Sequence, residues 1–371
     1  YQLGFGINRT NNFNNRILIE GYNGTNSIND TWIDNANGIY FGDIETDSYG
    51  YYAYDLNPAW WTYLLDTIPG TVDQYYGPVL NAPGQEILQR EESTTWGSMN
   101  EFLFSFGGNF GDRLYLGGTF GFPMIRYFRE TRYSEIDENN VLNDFNSLQL
   151  FERLQTRASG FNMKFGMIVR ATDWLRIGGA IHSPTWYSNM QDEWYSELSS
   201  SFDNGDRYSE RSPVGYYDYK LETPWRAMGS LGFIIAKTAL LDLDYEFVDY
   251  ASSRLRGSDY GFNDENRVIR DNYSETHNFR AGAEYRIGHF ALRGGGGYSA
   301  SPFKNDLNDG EKIYYSGGFG YRDKDFFVDF AWVRSQMNQN YYLYGSENVS
   351  VEPADNKFVT NNFMVTFGVR Y

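Results

Sequence analysis

Apolar and polar residues alternate with a period of two along much of the chain, which is typical of β-strands with one apolar and one polar face. The C-terminal segment 361–371 shows this pattern clearly. One of its faces carries Phe363, Val365, Phe367, Val369 and Tyr371. The alternation recurs in segments 113–122, 161–170, 240–247 and 326–332. A soluble β-sandwich with one solvated face also fits any single strand, so the choice depends on the rest of the chain.

Two further features favour a membrane-spanning barrel. The polar faces of the predicted strands carry glycines and charges of both signs, which ion pairs inside a lumen would satisfy; the charges are Arg176, Arg226, Arg280, Arg293, Arg370, Asp242, Asp244, Glu246, Glu284 and Asp329. Short and long links also alternate between about twelve strands. The short links are 110–113, 171–174, 236–238, 286–289 and 322–325, and the long ones are 22–92, 134–150, 192–210, 254–270, 302–311 and 344–356. Short periplasmic turns and long extracellular loops are typical of outer-membrane β-barrels.

Composition supports this architecture. Aromatic residues make up 19% of the 371 residues although the mean hydropathy is −0.57, as expected of alternating strands joined by long polar loops. No run of about 18 apolar residues predicts a transmembrane helix. The net charge of −17 argues against a nucleic-acid partner. With no cysteine and three histidines, the sequence predicts neither a metal site nor a cofactor.

Aromatic residues next to the short links predict one interfacial girdle of the barrel. These residues are Trp174, Tyr285, Phe290 and Tyr321, and Tyr371 is expected to anchor the last strand at the same rim. Because the C-terminus is then periplasmic, the strand number is even. A closed barrel of twelve strands and a larger barrel without its first hairpin both satisfy this condition.

Segments 161–188 and 221–250 resemble the FadL/TodX family of outer-membrane transporters for long-chain fatty acids and other hydrophobic compounds. The matching features are the stretches LRIGGAIHSPTWY, TPWR and LDYEFVDY. Residues 5–27 are similar to the Bacteroidetes branch of that family. The resemblance implies a barrel of fourteen strands with an N-terminal hatch. Only about twelve strands are visible, so we expect the hatch and first hairpin to be absent, and residues 1–371 to form one transmembrane domain.

The long link 22–92 is expected to be an extracellular loop insertion with one short helix. Residues 22–89 include nine acidic residues and neither lysine nor arginine, so this loop should repel anionic lipopolysaccharide. The helix is predicted within 57–68, with Asn57 as its cap and Pro58 in its first turn. Its apolar residues recur every three or four positions: Trp60, Trp61, Leu64, Leu65 and Ile68. They form either a groove that captures a hydrophobic ligand or the loop's own small core.

Gly121 and Pro123 interrupt one predicted strand, and Pro184 interrupts another. Proline removes a donor from the hydrogen-bond ladder, so it marks a bulge, a kink or the end of the sheet. The family resemblance implies that a kink at Gly121 and Pro123 is a lateral gate into the membrane. The alternative is a strand that simply rises above the bilayer there.

An outer-membrane lipase is the enzymatic alternative, but the sequence offers no credible catalytic group. His182 and Ser183 are adjacent, and neighbours on a strand point to opposite faces. His277 and His289 are isolated in the sequence. We therefore predict that the protein is not an enzyme.

The sequence predicts a passive outer-membrane transporter of a Gram-negative bacterium that captures hydrophobic molecules at its extracellular loops. The expected partners are a hydrophobic small molecule, such as a long-chain fatty acid, and the surrounding outer-membrane lipid and lipopolysaccharide. The alternative is a binding or scaffold barrel that serves a secretion or surface protein complex. A transporter requires a continuous apolar cavity, whereas a scaffold would have a charged bore and an apolar patch on its loops.

Overall fold

The computed structural model describes residues 1–80, 84–304 and 308–369. Its strands are β1 Gln2–Asn12, β2 Asn15–Asn23, β3 Asp66–Thr67, β4 Tyr75–Tyr76, β5 Ile87–Phe110, β6 Leu114–Ile136, β7 Ser147–Arg170, β8 Leu175–His182, β9 Trp186–Ser201, β10 Arg207–Arg211, β11 Gly215–Glu222, β12 Arg226–Ile235, β13 Ala239–Asp249, β14 Arg254–Arg256, β15 Glu275–Ile287, β16 Phe290–Ser299, β17 Lys312–Arg322, β18 Phe326–Tyr341 and β19 Ala354–Val369. The helices are α1 Ile28–Ala36, α2 Phe41–Thr46, α3 Leu56–Trp61 and α4 Asn263–Asn272, with 3-10 turns at Tyr51–Tyr54 and Tyr250–Ser252. No helix in these ranges is long and apolar enough to cross a bilayer.

All strands except β3 and β4 form one antiparallel meander, and β3 and β4 pair with each other in a separate two-stranded sheet. Several of them are pieces of a single longer strand: β1 and β2 both pair with β5, and β8 and β9 both pair with β7. Counted in this way, with β10 to β12 as one strand and β14 as an extension of β13, the sheet has the predicted twelve strands. Within the described residues β1 pairs only with β5, and β19 only with β18, so the meander begins at β1 and ends at β19.

The two faces of the sheet differ as the alternation predicts. The outward face carries a belt of exposed apolar side chains, including Phe102, Phe122, Phe165, Leu292, Phe319 and Val365. The belt follows segments 102–110, 114–124 and 161–169, each close to the 9 to 11 residues that a tilted strand needs to span a membrane. The inward face carries glycines and charged residues. This distribution of apolar residues is the reverse of that in a soluble barrel.

The short links lie at one rim of the sheet, here termed the short-turn rim. The links at 111–113, 171–174, 236–238, 288–289 and 323–325 agree with the predicted short turns. Near them Trp174, Tyr285 and Phe290 are about half exposed, and the Phe290 and Tyr321 rings lie 5.3 Å apart. The girdle prediction therefore holds for these four residues, whereas Tyr371 lies outside the described residues.

The opposite rim, the long-loop rim, differs from expectation in one place. The predicted loop 192–210 is mostly strand, because β9 and β10 continue beyond the outward apolar belt and meet at a short turn, 202–206. Strands β5, β6 and β7 also extend far beyond the belt. These extensions form a wall against which the loop insertion packs.

Candidate ligand path

The segment between β2 and β5 is a compact unit, here termed the cap and consisting of residues 24–80 and 84–86. It carries α1, α2, α3 and a 3-10 turn, so it contains two helices in addition to the short one expected within 57–68. The cap packs on the inward faces of the strand extensions, where the Ser196 and Ser200 hydroxyls donate to the backbone carbonyls of Tyr54 and Thr62 at 2.8 and 2.6 Å. Its apolar core is continuous with Tyr133, Leu148 and Leu198 of the wall. The cap therefore lies in the mouth of the barrel at the long-loop rim.

The structure divides the predicted capture residues between the cap core and the cap surface. Leu64 and Leu65 are buried, at 0% and 1% exposure, and Trp60 stacks on Phe41 with ring centroids 5.8 Å apart. Trp61 and Ile68 remain 46% and 42% exposed. Packing therefore accounts for the first three residues, and the two exposed ones remain available to a ligand.

The helix itself is shorter than predicted. It ends at Trp61, and Tyr63 follows with a φ of 57° in the left-handed region. Its cap is Asp55, whose carboxylate accepts from the Leu56 amide at 2.6 Å. The predicted cap, Asn57, is instead buried and donates to the carbonyl oxygen of Ile44 at 2.8 Å.

A buried carboxylate joins the cap to the wall. Glu135 lies on the β6 extension beyond the apolar belt and is fully buried. It accepts hydrogen bonds from the Ile28 amide at 2.9 Å, from Gln89 at 2.9 Å and from Tyr133 at 2.7 Å, and also from the Ser27 hydroxyl. Burial raises the pKa of Glu135, and these four donors oppose that shift. Because Ile28 begins α1, the carboxylate also lies at the positive end of that helix.

The link between β18 and β19 joins the cap from the other side. Its Ser346 and Asn348 side chains donate to the Asp34 carboxylate at 2.6 and 2.8 Å, and these bonds lower the pKa of Asp34. The Tyr344 hydroxyl bridges Gln89 at 2.7 Å and Asn26 at 2.8 Å. The cap is thus fixed to strands on both sides of the mouth.

The β6–β7 ladder is interrupted at the predicted kink. Pairing stops after Gly121 with Asn162 and resumes at Met124 with Ser159. Pro123 lies within this interval, here termed the ladder gap, and has no N–H to donate. On the outward side the Phe122 and Phe161 rings cover the gap, with centroids 5.4 Å apart. The strand β6 itself runs on through Gly121 and Pro123, so only its pairing with β7 is interrupted, and the role of these residues as a kink and gate stays a prediction.

Polar groups close the inward side of the ladder gap. Glu101 is 2% exposed and accepts from Lys164 at 2.6 Å and from Asn162 at 2.8 Å. A Cβ atom on Gly121 would lie 2.4 Å from the Glu101 carboxylate, so glycine is what allows this close approach. The gap is therefore covered by aromatic rings on one side and by an ion pair on the other.

Ion pairs also line the inward wall on the opposite half of the sheet. Arg293 bridges Glu284 and Asp329, at 2.6 Å in each case, and Arg280 lies 3.5 Å from Glu246. These pairs show that the inward charges do form ion pairs, but the predicted ladder across a lumen is wrong, because they join adjacent strands or, for Arg293 and Asp329, strands two apart. The other predicted members form no ion pair within the described residues: Arg176, Arg226, Asp242 and Asp244. Arg370 lies outside those residues.

An apolar cavity of about 820 Å³ lies between the ladder gap and the short-turn rim, and most of its lining side chains belong to the outward apolar belt. Its lining includes Leu3, Phe106, Leu116, Met167, Ile181 and Met228. Glycines of β5 to β8 contribute no side chains to the wall there. The cavity therefore offers an apolar volume suitable for a small hydrophobic molecule.

Some residues of this path were not predicted. Glu101, Lys164 and Asn162 belong to separate strands, and Glu135 meets the cap only through the tertiary fold. The alternation places them on the polar faces but does not show which of them meet. The expected separation of His182 and Ser183 does hold, because the Ser183 hydroxyl donates to the Pro184 carbonyl at 2.7 Å.

Comparisons with known proteins bear on the fold. No protein-family model and no curated protein matches the sequence. The structure is similar to that of a Pseudomonas aeruginosa FadL homologue, with a TM-score of 0.51 and 12% identity over 76% of this chain and 73% of that chain. The Ralstonia pickettii toluene transporter TbuX has a TM-score of 0.46 and 13% identity over 80% of this chain and 85% of that chain. The CymD monoaromatic hydrocarbon channel has a TM-score of 0.38 and 13% identity over 80% of this chain and 82% of that chain.

The first of these likenesses shows the fold. Together with the outward apolar belt, it shows an all-β transmembrane barrel with the fold of that homologue, as the resemblance of segments 161–188 and 221–250 implied. Barrels of this kind reside in the outer membrane of Gram-negative bacteria. The predicted Bacteroidetes branch stays a prediction.

Proposed function

We propose that this barrel is a passive, non-enzymatic channel for small hydrophobic molecules such as long-chain fatty acids or aromatic hydrocarbons. The ladder gap is the observation that carries this proposal. It interrupts the β6–β7 pairing at the height of the apolar belt, next to the apolar cavity of about 820 Å³. A molecule that leaves the lumen sideways, between Phe122 and Phe161, would enter this outward cavity and then the lipid.

The cap supports a role in capture and gating. It lies in the mouth, so an entering molecule has to pass it or displace it. Trp61 and Ile68 are the predicted capture residues that remain exposed on it. We propose that they make the first contact with the ligand, and that opening of the cap admits the ligand to the barrel.

Uptake of radiolabelled oleate and of radiolabelled toluene tests this function in host cells without their own hydrophobic-compound transporter. Cells that contain the protein should take up at least one compound faster than cells without it. The variant Trp61→Asp/Ile68→Asp should slow uptake by about tenfold, because an apolar ligand cannot compensate for the desolvation of the two carboxylates. Val141→Asp is the matched control, since Val141 is 41% exposed on another extracellular link. Equal uptake with and without the protein would refute the proposal.

A scaffold role is the second candidate, because the inward wall carries ion pairs at Arg293 and Arg280. A scaffold would hold a protein partner at the cap surface. Mass spectrometry of the protein extracted from its own membrane in mild detergent separates the two roles. A bound fatty acid or hydrocarbon supports the channel, whereas an empty barrel with a stoichiometric protein partner supports the scaffold.

A further inference from the structure

The outward apolar belt ends at one height on four neighbouring strands. On β5 it gives way to Asn100 above Phe102, and on β6 to Arg126 above Met124. On β7 the polar residues begin at Ser159, above Phe161, and on β9 they begin just after Trp186. Phe102, Phe122 and Met124 are 45%, 48% and 52% exposed. This line marks where the wall leaves the outer leaflet.

Two arginines face each other just above this line. Arg126 of β6 is the direct cross-strand partner of Arg157 of β7, and both are exposed on the outward face. Like charges directly opposite each other destabilise a sheet. Neither arginine forms an ion pair within the described part of the chain. Their cross-strand neighbours on the outer strands are the neutral Ser98 and Gln191.

More arginines follow on the same outward face toward the long-loop rim. They outnumber the carboxylates on β5, β6, β7, β9 and β10, where the basic residues are Arg90, Arg126, Arg132, Arg153, Arg157, Arg207 and Arg211 and the acidic ones are Glu92, Glu130, Glu193 and Glu197. The chain as a whole carries a net charge of −17, and the cap has no lysine or arginine. These seven arginines give this side of the barrel an excess of positive charge, and the outward faces that carry them are here termed the arginine band.

Two of these arginines have acidic neighbours, and others keep N–H donors available for an anion. Arg90 pairs with Glu20, and Arg153 lies 3.9 Å from Glu130. Arg132 and Arg211 lie over the Phe151 and Tyr195 rings, at 5.1 and 4.0 Å. Such ring contacts orient a guanidinium but leave its N–H donors available. A surface groove of about 750 Å³ connects Arg90, Arg132 and Arg207 with serine hydroxyls of β6, β9 and β10.

We propose that the arginine band binds the phosphorylated head group of an outer-leaflet glycolipid, with one phosphate held between Arg126 and Arg157. A guanidinium matches a phosphate with two parallel hydrogen bonds, and a dianion between the two arginines would remove their mutual repulsion. The acyl chains of the same lipid would lie on Phe122 and Met124 below. Saccharide and further phosphate groups would reach the groove above.

Diphosphoryl lipid A and its dephosphorylated form, added to the purified protein in detergent, test the proposal. Native mass spectrometry would count bound lipids, and thermal melting would report stability. Diphosphoryl lipid A should bind the wild-type protein about tenfold more tightly than Arg126→Gln/Arg157→Gln, whereas the dephosphorylated form should bind both equally. Arg267→Gln is the control, because Arg267 is 65% exposed on α4, outside the band.

Thermal melting of the variants without lipid shows whether a loss of lipid binding comes from a loss of folding. The double variant should be at least as stable as the wild type, because the repulsion is gone, and only the wild type should gain stability from diphosphoryl lipid A. If the double variant does not fold, Arg157→Lys keeps the charge but loses the paired hydrogen bonds and should bind with intermediate affinity. Equal lipid A affinity of variants and wild type, or equal binding of both lipid forms, would overturn the proposal. Neither result bears on cargo uptake.

Discussion

At the scale of single residues, Glu135 is the group that most directly fixes the cap in the barrel mouth. Glu135→Ala would leave the buried hydroxyls of Ser27 and Tyr133 without their acceptor and would remove one of the acceptors of Gln89. Such a loss should destabilise the closed cap by about 2 to 3 kcal/mol. Hydrogen exchange should therefore quicken in α1, with little change in β15 to β18. Glu138→Ala, an exposed neighbour on the adjoining link, is the control, and unchanged exchange in both variants would contradict this role.

Gly121 makes a second prediction at this scale. In Gly121→Ala the new methyl group would lie 2.4 Å from the Glu101 carboxylate, so the pair with Lys164 must shift, at a cost of about 1 to 3 kcal/mol. Gly117→Ala is the matched control on the same strand and face, since its nearest contact would be an ordinary 3.5 Å. Thermal melting should separate the two variants. Equal melting temperatures would show that the approach of Glu101 is not tight.

Asp34 gives a prediction about pH. Hydrogen bonds from Ser346 and Asn348 lower the pKa of Asp34 in the folded protein. Their contribution to stability is therefore fully present above the ordinary pKa of 3.8, and it is lost as the pH falls through the lower pKa of the folded state. Exchange in the link between β18 and β19 should accelerate only in strong acid. In Asp34→Asn the same link should exchange faster at neutral pH and respond less to acid. An identical acid response in both proteins would contradict this account.

At the scale of elements, variants of the cap can show whether the apolar stripe around α3 serves packing or ligand binding. Leu64 is fully buried, so Leu64→Ala should cost the cap about 2 to 5 kcal/mol and expose residues 24–80 to limited proteolysis. Trp61→Ala removes a half-exposed ring and should leave the cap resistant to the protease while it weakens ligand uptake. The opposite order of effects would mean that the stripe serves the ligand rather than the core.

The same elements show where prediction from sequence succeeds and where it fails. The strands and their short turns were predictable because period-two alternation and turn residues are local signals. The end of α3 was not, because the left-handed Tyr63 and the cap Asp55 depend on how the segment packs. An apolar stripe likewise looks the same whether it meets a ligand, as proposed for Trp61, or a core, as Leu64 does.

At the scale of the whole molecule, the strand number and the membrane belt followed from the sequence, and the position of the cap did not. Charge and hydropathy predict that residues 22–92 lie outside the membrane, but they do not show that the segment turns into the mouth. That position depends on contacts such as Ile28 with Glu135, which lie far apart in the chain. The ladder gap was predictable in part. Pro123 predicts an interruption of the pairing, but only the fold shows which residues cover it.

The central claim, that hydrophobic molecules leave through the ladder gap, is tested most directly by a reversible lock. The chain contains no cysteine, so Phe122→Cys/Phe161→Cys places a single oxidisable pair at opposite positions across the gap. Phe319→Cys/Phe330→Cys forms the same kind of pair across the unbroken β17–β18 ladder, away from the cavity, and serves as the control. Uptake of whichever labelled compound the wild type transports would be measured before oxidation, after oxidation and after reduction. We predict that oxidation slows uptake by about tenfold in the gap pair alone and that reduction restores it; full uptake through an oxidised gap pair would contradict the account.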